Sequence, residues 1–224
     1  MAPVTKPPFV IAVDGPAASG KGTIATRLAS AYDLPMLDSG LLYRAVGVIL
    51  AQQGGDFDDV TAAEAVARNL TAEMLSDPAF RTREAGEAAS RVAIHPPVRL
   101  ALRELQQAFA RRPGGAVIDG RDIGTVIAPE APAKLYVTAA PQVRAERRWK
   151  QLKAQGEAVS YEEILSDILR RDARDGGRAD SPMIQAPDAV LLDTSEMTIE
   201  QAADAARRIV EAARARWEAS PPGT

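Results

Sequence analysis

The stretch Val10-Ile11-Ala12-Val13-Asp14-Gly15-Pro16-Ala17-Ala18-Ser19-Gly20-Lys21-Gly22-Thr23 constrains the fold more than any other part of the chain. An apolar run too short for a helix meets a glycine-rich turn and then amphipathic helical spacing, so a strand buried on both faces hands the chain directly to a helix. The turn aims several backbone N–H groups into one hollow at the helix N-terminus. Unpaired amides and the helix dipole favour a polyphosphate there, and Lys21 adds a mobile positive charge. Gly15, Pro16, Ala17, Ala18, Ser19, Gly20, Lys21, Gly22 and Thr23 are therefore the candidate cradle of a P-loop, suited to ATP or GTP.

Four further apolar runs, at 35–37, 116–118, 135–137 and 189–192, follow the first at 9–13 and alternate with helical patterns of ten or more residues. This βα alternation predicts an α/β fold of the P-loop NTPase type: a five-stranded parallel sheet with helices on both faces. Such sheets bind ligands at the carboxyl ends of their strands, where Asp14, Asp38, Asp119 and Asp193 fall. Ser39 is placed to cap a helix over 40–53, and Thr61 with Glu64, Ser160 with Glu163 and Thr198 with Gln201 fit reciprocal capping boxes. Pro96-Pro97 separates a helix ending near Ile94 from one over 98–112. Two segments read as helical excursions from the sheet, 61–112 and 144–178. The second holds seven Arg, two Lys and seven acidic residues, which equally fits a helix pair laced by solvated salt bridges.

Composition narrows the chemistry. At 224 residues and 46% hydrophobic content the chain buries one substantial core. No run of 18 apolar residues exists and 1–8 lacks a secretory pattern, so a cytoplasmic protein without a membrane partner is expected. Zero cysteines and one histidine exclude disulfides and thiolate metal sites and leave the chemistry to Arg, Lys, Asp, Ser and backbone. A net charge of −3 argues against a nucleic-acid partner. Arg supplies 22 of the 27 basic residues, a bias that a GC-rich genome alone produces, so only the positions of single arginines carry weight.

Those positions carry a resemblance. Gly20-Lys21-Gly22-Thr23 departs from the common P-loop, in which Ser or Thr follows the lysine, and resembles the nucleoside monophosphate kinases. Leu37-Asp38-Ser39-Gly40 with Tyr43-Arg44, the block Ile118-Asp119-Gly120-Arg121-Asp122-Ile123-Gly124-Thr125, and Arg171-Asp172-Ala173-Arg174-Asp175 then occur in order, and over nearly all of 10–214 the chain resembles the bacterial cytidylate kinases. The resemblance implies transfer of the γ-phosphoryl group of ATP to the small-molecule acceptors CMP or dCMP. It implies that Lys21, Arg121, Arg171 and Arg174 act on the transferring group. Arg44 and Arg121, with the Ser39 hydroxyl, would hold the acceptor phosphate. Ser90, Arg99 and Asp122 would read cytosine, and Arg171, Asp175 and Arg178 would contact sugar and phosphates. Mg2+ is implied with ATP, and Thr23 and Asp119 are its candidate contacts.

By the same resemblance the chain is one kinase domain over 1–224, with a core at 9–60 and 113–218, an acceptor-binding region at 61–112 and a lid at 151–160, expected to be monomeric. The segment 193–198 would lie over adenine, and 72–81 stands where many relatives carry a strand-rich insertion. Ser39 equally fits the role of a helix cap alone, and Asp175 that of the i+4 partner of Arg171. For the whole chain the alternatives are a kinase of UMP or another small acceptor and a P-loop module that binds nucleotide without turnover.

Overall fold

In a computed structural model the described residues are 6–71 and 73–221; residues 1–5, 72 and 222–224, and with them part of the readings made for 1–8 and 72–81, lie outside. Strand β1 (Val10–Asp14) is buried at every position. It pairs in parallel with β3 (Ala116–Gly120), from Val10 opposite Ala116 to Asp14 opposite Gly120, and with β4 (Ala133–Thr138), from Ile11 opposite Ala133 to Asp14 opposite Tyr136. β5 (Val190–Asp193) adds to β4, with Thr138 opposite Asp193. With β2 (Met36–Asp38) the order is β2-β3-β1-β4-β5, the five-stranded parallel sheet expected from the alternation. The register sets Asp14 beside Gly120 and Tyr136, so the carboxyl ends of the central strands lie level.

Helices α1 (Lys21–Tyr32) and α8 (Ile199–Ala219) pack over one face, where Ile24 and Leu28 meet Ile11, Val13, Val117, Leu135, Val137 and Leu192. α8 contributes Ala202, Ala206, Val210 and Ala213. This stripe of small side chains, spaced four, four and three residues apart, lets the helix lie close to the strands. Val10, Ala12 and Ile118, which alternate to the other face, are equally buried. α6 (Pro141–Ala154) and α7 (Tyr161–Gly176) form a hairpin sealed by Ala145, Leu152, Ile164 and Ile168 with Trp149. The segment read as a lid is the tip of this hairpin. Its turn has Gly156 at φ +85°, and Trp149 Nε1 donates to Val159 O at 3.1 Å.

The described chain divides into two compact units, one formed by the residues through Met36 and from Ala110 onward, the other by Leu37–Phe109. The second comprises α2 (Ser39–Gln52), α3 (Val60–Arg68), two short 3-10 turns at Glu73–Ser76 and Pro78–Arg81, α4 (Arg83–Val92) and most of α5 (Pro96–Ala110). A Cβ on Gly47 of α2 would stand 2.6 Å from Ala88 Cβ of α4, so these helices touch backbone to backbone.

Two capping expectations are corrected. Asp38, one residue earlier than Ser39, caps α2 by accepting from Leu41 N at 3.2 Å, and Ser39 is the first helical residue. α3 is capped by Asp59 accepting from Ala62 N at 3.0 Å, so Thr61 and Glu64 form no box. The boxes Ser160–Glu163 on α7 and Thr198–Gln201 on α8 are both present.

Candidate active site

The phosphate cradle grows out of the end of β1. Gly15 turns at φ +147°, and a Cβ there would lie 2.0 Å from Val137 O, so the loop leaves the strand flush against β4. Ala18 and Gly20 follow at φ +60° and +90°, left-handed conformations that turn neighbouring amides towards one hollow. Strain at the non-glycine Ala18 is of the kind that gathers at binding loops. α1 then starts with no side-chain cap and no acidic residue in its first turn, which leaves its N-terminal amides and dipole to an anion. The buried Ser19 hydroxyl has no hydrogen-bond partner among the described residues.

Lys21 Nζ stands 3.7 Å from Asp119 Oδ1 and 3.5 Å from Pro16 O, with both side chains nearly buried (11% and 6% exposed). Asp119 thus faces the loop from β3. A Cβ at position 22 would come within 3.2 Å of Asp119 Oδ2, so this carboxylate lies close against the glycine that breaks the common pattern. No group of three or more His, Cys, Asp or Glu side chains capable of holding a metal exists among the described residues. Of the two residues expected to meet magnesium, Asp119 carries hard oxygen donors beside Lys21, and Thr23 is the third residue of α1.

Beyond β3 the chain delivers Arg121 and Asp122. Arg121 Nε donates to Asp175 Oδ2 of α7 at 3.1 Å, and Arg178 Nη1 lies 3.7 Å from Asp175 Oδ1. Burial raises the Asp175 pKa, but the Arg121, Arg178 and Arg171 cations outweigh it and hold the carboxyl below its usual range. Arg171, at i−4, acts on Asp175 together with Arg178 and with Arg121, which lies 54 residues away in the chain. Arg171 and Arg174 share α7 with Asp175.

Three attachments fix these pieces, and none was legible in the sequence. Asp14, the last residue of β1, accepts from Ile123 N (2.8 Å) and Gly124 N (2.7 Å), the first amides of a wide π-type turn at Ile123–Ile127. Burial pushes its carboxyl up to about 7, with Asp122 and Asp119 adding to the rise against the pull of the two amides. Arg144 on α6, 3% exposed, donates to Ala139 O (2.8 Å), to the P-loop carbonyl of Ala17 (3.1 Å) and, bidentately, to Asp172 on α7. This buried fork contrasts with the solvated pairs Glu146–Lys150 and Asp167–Arg170 on the same helices. Thr194, just past β5, donates from Oγ1 to Ser19 O (3.0 Å) and accepts from Arg147 Nη1 (3.0 Å). A polar residue closing an otherwise apolar strand was the one hint of Asp14; Arg144 and Thr194 have no local signal.

The remaining candidates lie in the unit 37–109. Ser39 opens α2, and Arg44 follows five residues later on the same helix. Ser90 on α4 is buried, and its Oγ has no hydrogen-bond partner among the described residues. Arg99 on α5 is buried too, its guanidinium 5.8 Å from the centroid of the Tyr43 ring. A buried hydroxyl without a partner costs stability, and a ligand that bonds to it repays that cost. His95, expected as a turn residue, sits at the corner before α5 with Nε2 2.7 Å from Phe57 O.

Within the unit built on the sheet, an uncapped anion hollow with its lysine and a second gathering of arginines past β3 and along α7 suit the handling of two phosphate groups. The class so defined is that of the P-loop phosphotransferases. The family model for cytidylate kinase matches residues 11–212, and the chain belongs to that family. It is 73% identical over 208 residues to the cytidylate kinase of Caulobacter vibrioides (strain NA1000 / CB15N), covering 93% of this chain and 98% of the relative. It is 61% identical over 207 residues to that of Xanthobacter autotrophicus (strain ATCC BAA-1158 / Py2), covering 92% and 99%. Among solved structures, an uncharacterized protein from Eubacterium ventriosum ATCC 27560 shares the fold, with TM-score 0.53 and 14% identity over 91% of this chain and 98% of that one.

Proposed function

We propose that this protein transfers the γ-phosphoryl group of ATP to CMP or dCMP, giving CDP or dCDP and ADP. The observation that carries the proposal is the pairing of an uncapped, lysine-bearing phosphate loop with the Arg121–Asp175–Arg178 cluster in one unit, within a chain of the cytidylate kinase family.

The chain's own residues divide the work. The loop amides at 15–23 and Lys21 hold the donor phosphates, and Lys21 follows the charge that develops on the transferring group. A nucleoside monophosphate has a second pKa near 6, so at neutral pH its phosphate is already an ionised nucleophile and no side chain need remove a proton. Neutralisation is what two approaching anions require. Arg121, Arg171 and Arg174 supply it, each such contact worth roughly 10³ to 10⁵ in rate. Asp175 keeps Arg121 and Arg178 in place between turnovers. Arg44 and the Ser39 hydroxyl bind the acceptor phosphate, and Ser90, Arg99 and Asp122 read the cytosine. Their hydrogen-bonding groups match a ring that presents a ring nitrogen, a carbonyl and an amine. Asp119 and Thr23 would hold magnesium, which would offset charge on the donor phosphates.

The test is ADP formation from ATP and magnesium with CMP, dCMP, UMP, AMP, GMP or no acceptor in parallel. Strong stimulation by CMP and dCMP alone is expected. Stimulation chiefly by another nucleotide overturns the base assignment, and ATP binding without stimulation by any acceptor favours a regulatory module.

A further inference from the structure

Asp122 occupies the N-cap position of the turn Ile123–Ile127, where an aspartate ordinarily turns its carboxylate onto the amides that follow. It makes no such bond. The later amides of the turn are served from within, Val126 N and Ile127 N donating to Asp122 O and Ala128 N to Ile123 O. The first two, Ile123 N and Gly124 N, are buried with their residues, and both are taken by Asp14 from a strand 109 and 110 positions away. A Cβ on Gly124 would stand 3.4 Å from Asp14 Oδ2 and 3.1 Å from Lys134 Cδ, so the turn is seated directly on the Asp14 carboxylate. Asp14 also directly precedes Gly15, the first residue of the phosphate cradle.

We propose that Asp14 is a positioning residue that caps this turn in place of Asp122, and so keeps the Asp122 carboxylate for the acceptor base while tying the acceptor-side turn to the start of the P-loop. The inference deepens the reading of Asp122 as a contact to cytosine and rests on it. Its physical basis is competition. Two buried amides demand an acceptor, and of the two carboxylates at hand only one meets the demand. Replacing Asp14 by Asn leaves one amide facing an NH2 group, and Asp122, at the N-cap position of the same turn, is the carboxylate placed to take it over. Once Asp122 has swung back into its ordinary capping role it no longer reads the base.

The experiment measures kcat and KM for CMP and for UMP, with the ADP dissociation constant, in the wild type, Asp14→Asn, Asp122→Asn and the double variant. Expected is a fall of tenfold or more in the CMP-to-UMP ratio of kcat/KM in Asp14→Asn, carried by the CMP KM. The double variant should be no less selective than Asp122→Asn alone, and ADP binding should change by less than threefold. A merely structural role for Asp14 lowers the active fraction without moving either KM or the ratio, and that outcome overturns the inference. A wild type indifferent to the base overturns the reading of Asp122 itself, a failure seen before any variant is made. Should Asp14→Asn not fold, hydrogen exchange decides. Ile123 and Gly124 amides are expected to be strongly protected in the wild type and equally protected in Asp122→Asn. Fast exchange in the former, or lost protection in the latter, overturns the assignment of the cap to Asp14.

Discussion

Removing the Asp172 carboxylate tests how firmly the arginine-bearing helix is bound to the phosphate loop. Arg144 is 3% exposed and Asp172 24% exposed, and the two are joined through both guanidinium ends. Breaking a fully buried ion pair from one side costs about 3 to 5 kcal/mol, because the surviving charge stays buried. Here Arg144 keeps its bonds to Ala139 O and Ala17 O, and water reaches the Asp172 side. The cost of Asp172→Ala therefore falls to about 2 to 3 kcal/mol, or a Tm about 4 to 12 °C lower for a chain of this size. Arg144→Met is destabilising as well, since it strips two carbonyls of their donor. The double variant is expected to recover about 1.5 to 2.5 kcal/mol relative to the sum of the single changes. Urea unfolding of the four proteins gives the cycle, and ADP binding should weaken with Arg144→Met because Ala17 O loses its anchor. A loss below about 0.5 kcal/mol for Asp172→Ala, the range of solvated surface pairs, would refute the buried fork as the link between loop and helix.

Ser90→Ala is expected to raise the acceptor KM about five- to tenfold (about 1 to 1.4 kcal/mol) while the urea midpoint holds or rises, because the lost hydroxyl had no hydrogen-bond partner among the described residues. Steady-state kinetics alongside unfolding checks this, and a lower midpoint with unchanged KM contradicts it. Arg99→Ala relaxes the preference for CMP over UMP as well as raising KM; an unaltered preference in the same assay removes it from the base-reading set. Lys21→Ala lowers turnover at least about 10³-fold, read as ADP release under saturating substrates, and a residual rate above a tenth of wild type rules out its role on the transferring group. Stability responds to pH in opposite senses at two carboxylates. Between the ordinary Asp value of 3.8 and about 7 the folded protein keeps a proton on Asp14 that the unfolded chain has lost, so this group makes stability fall as pH rises through that window. Asp175, held low, contributes stability that is present above the ordinary value and lost as pH falls through its lowered pKa. Urea midpoints taken from about pH 4 to pH 8 should show a flatter slope in Asp14→Asn than in the wild type, and parallel slopes count against the Asp14 assignment.

The capping residues show where reading the chain succeeds and where it slips. Ser160 with Glu163 and Thr198 with Gln201 form their boxes because each motif stands alone at its helix start, so local hydrogen bonding decides. At α2 and α3 an aspartate stands within two residues of the expected serine or threonine, and either side chain is competent. Asp38 and Asp59 take the caps because the backbone enters each helix one or two residues early. Gly22 illustrates the converse. The departure from the common phosphate loop was visible in the sequence, but the approach of Asp119 to that position was not.

By itself the sequence determined the order of strands and helices, the phosphate loop and its lysine, and the identity of the arginines, because hydrophobic period, glycine placement and residue chemistry act over a few positions. Only the tertiary structure decided which charges meet. Lys21 faces Asp119, Arg121 meets Asp175, Arg144 grips Asp172 and Asp14 takes the amides of Ile123 and Gly124. Each pairing joins residues between 28 and 110 positions apart. What brings the last of them together is the parallel register that sets Asp14 opposite Gly120 and levels the ends of β1, β3 and β4, a relation between strands that no local pattern encodes.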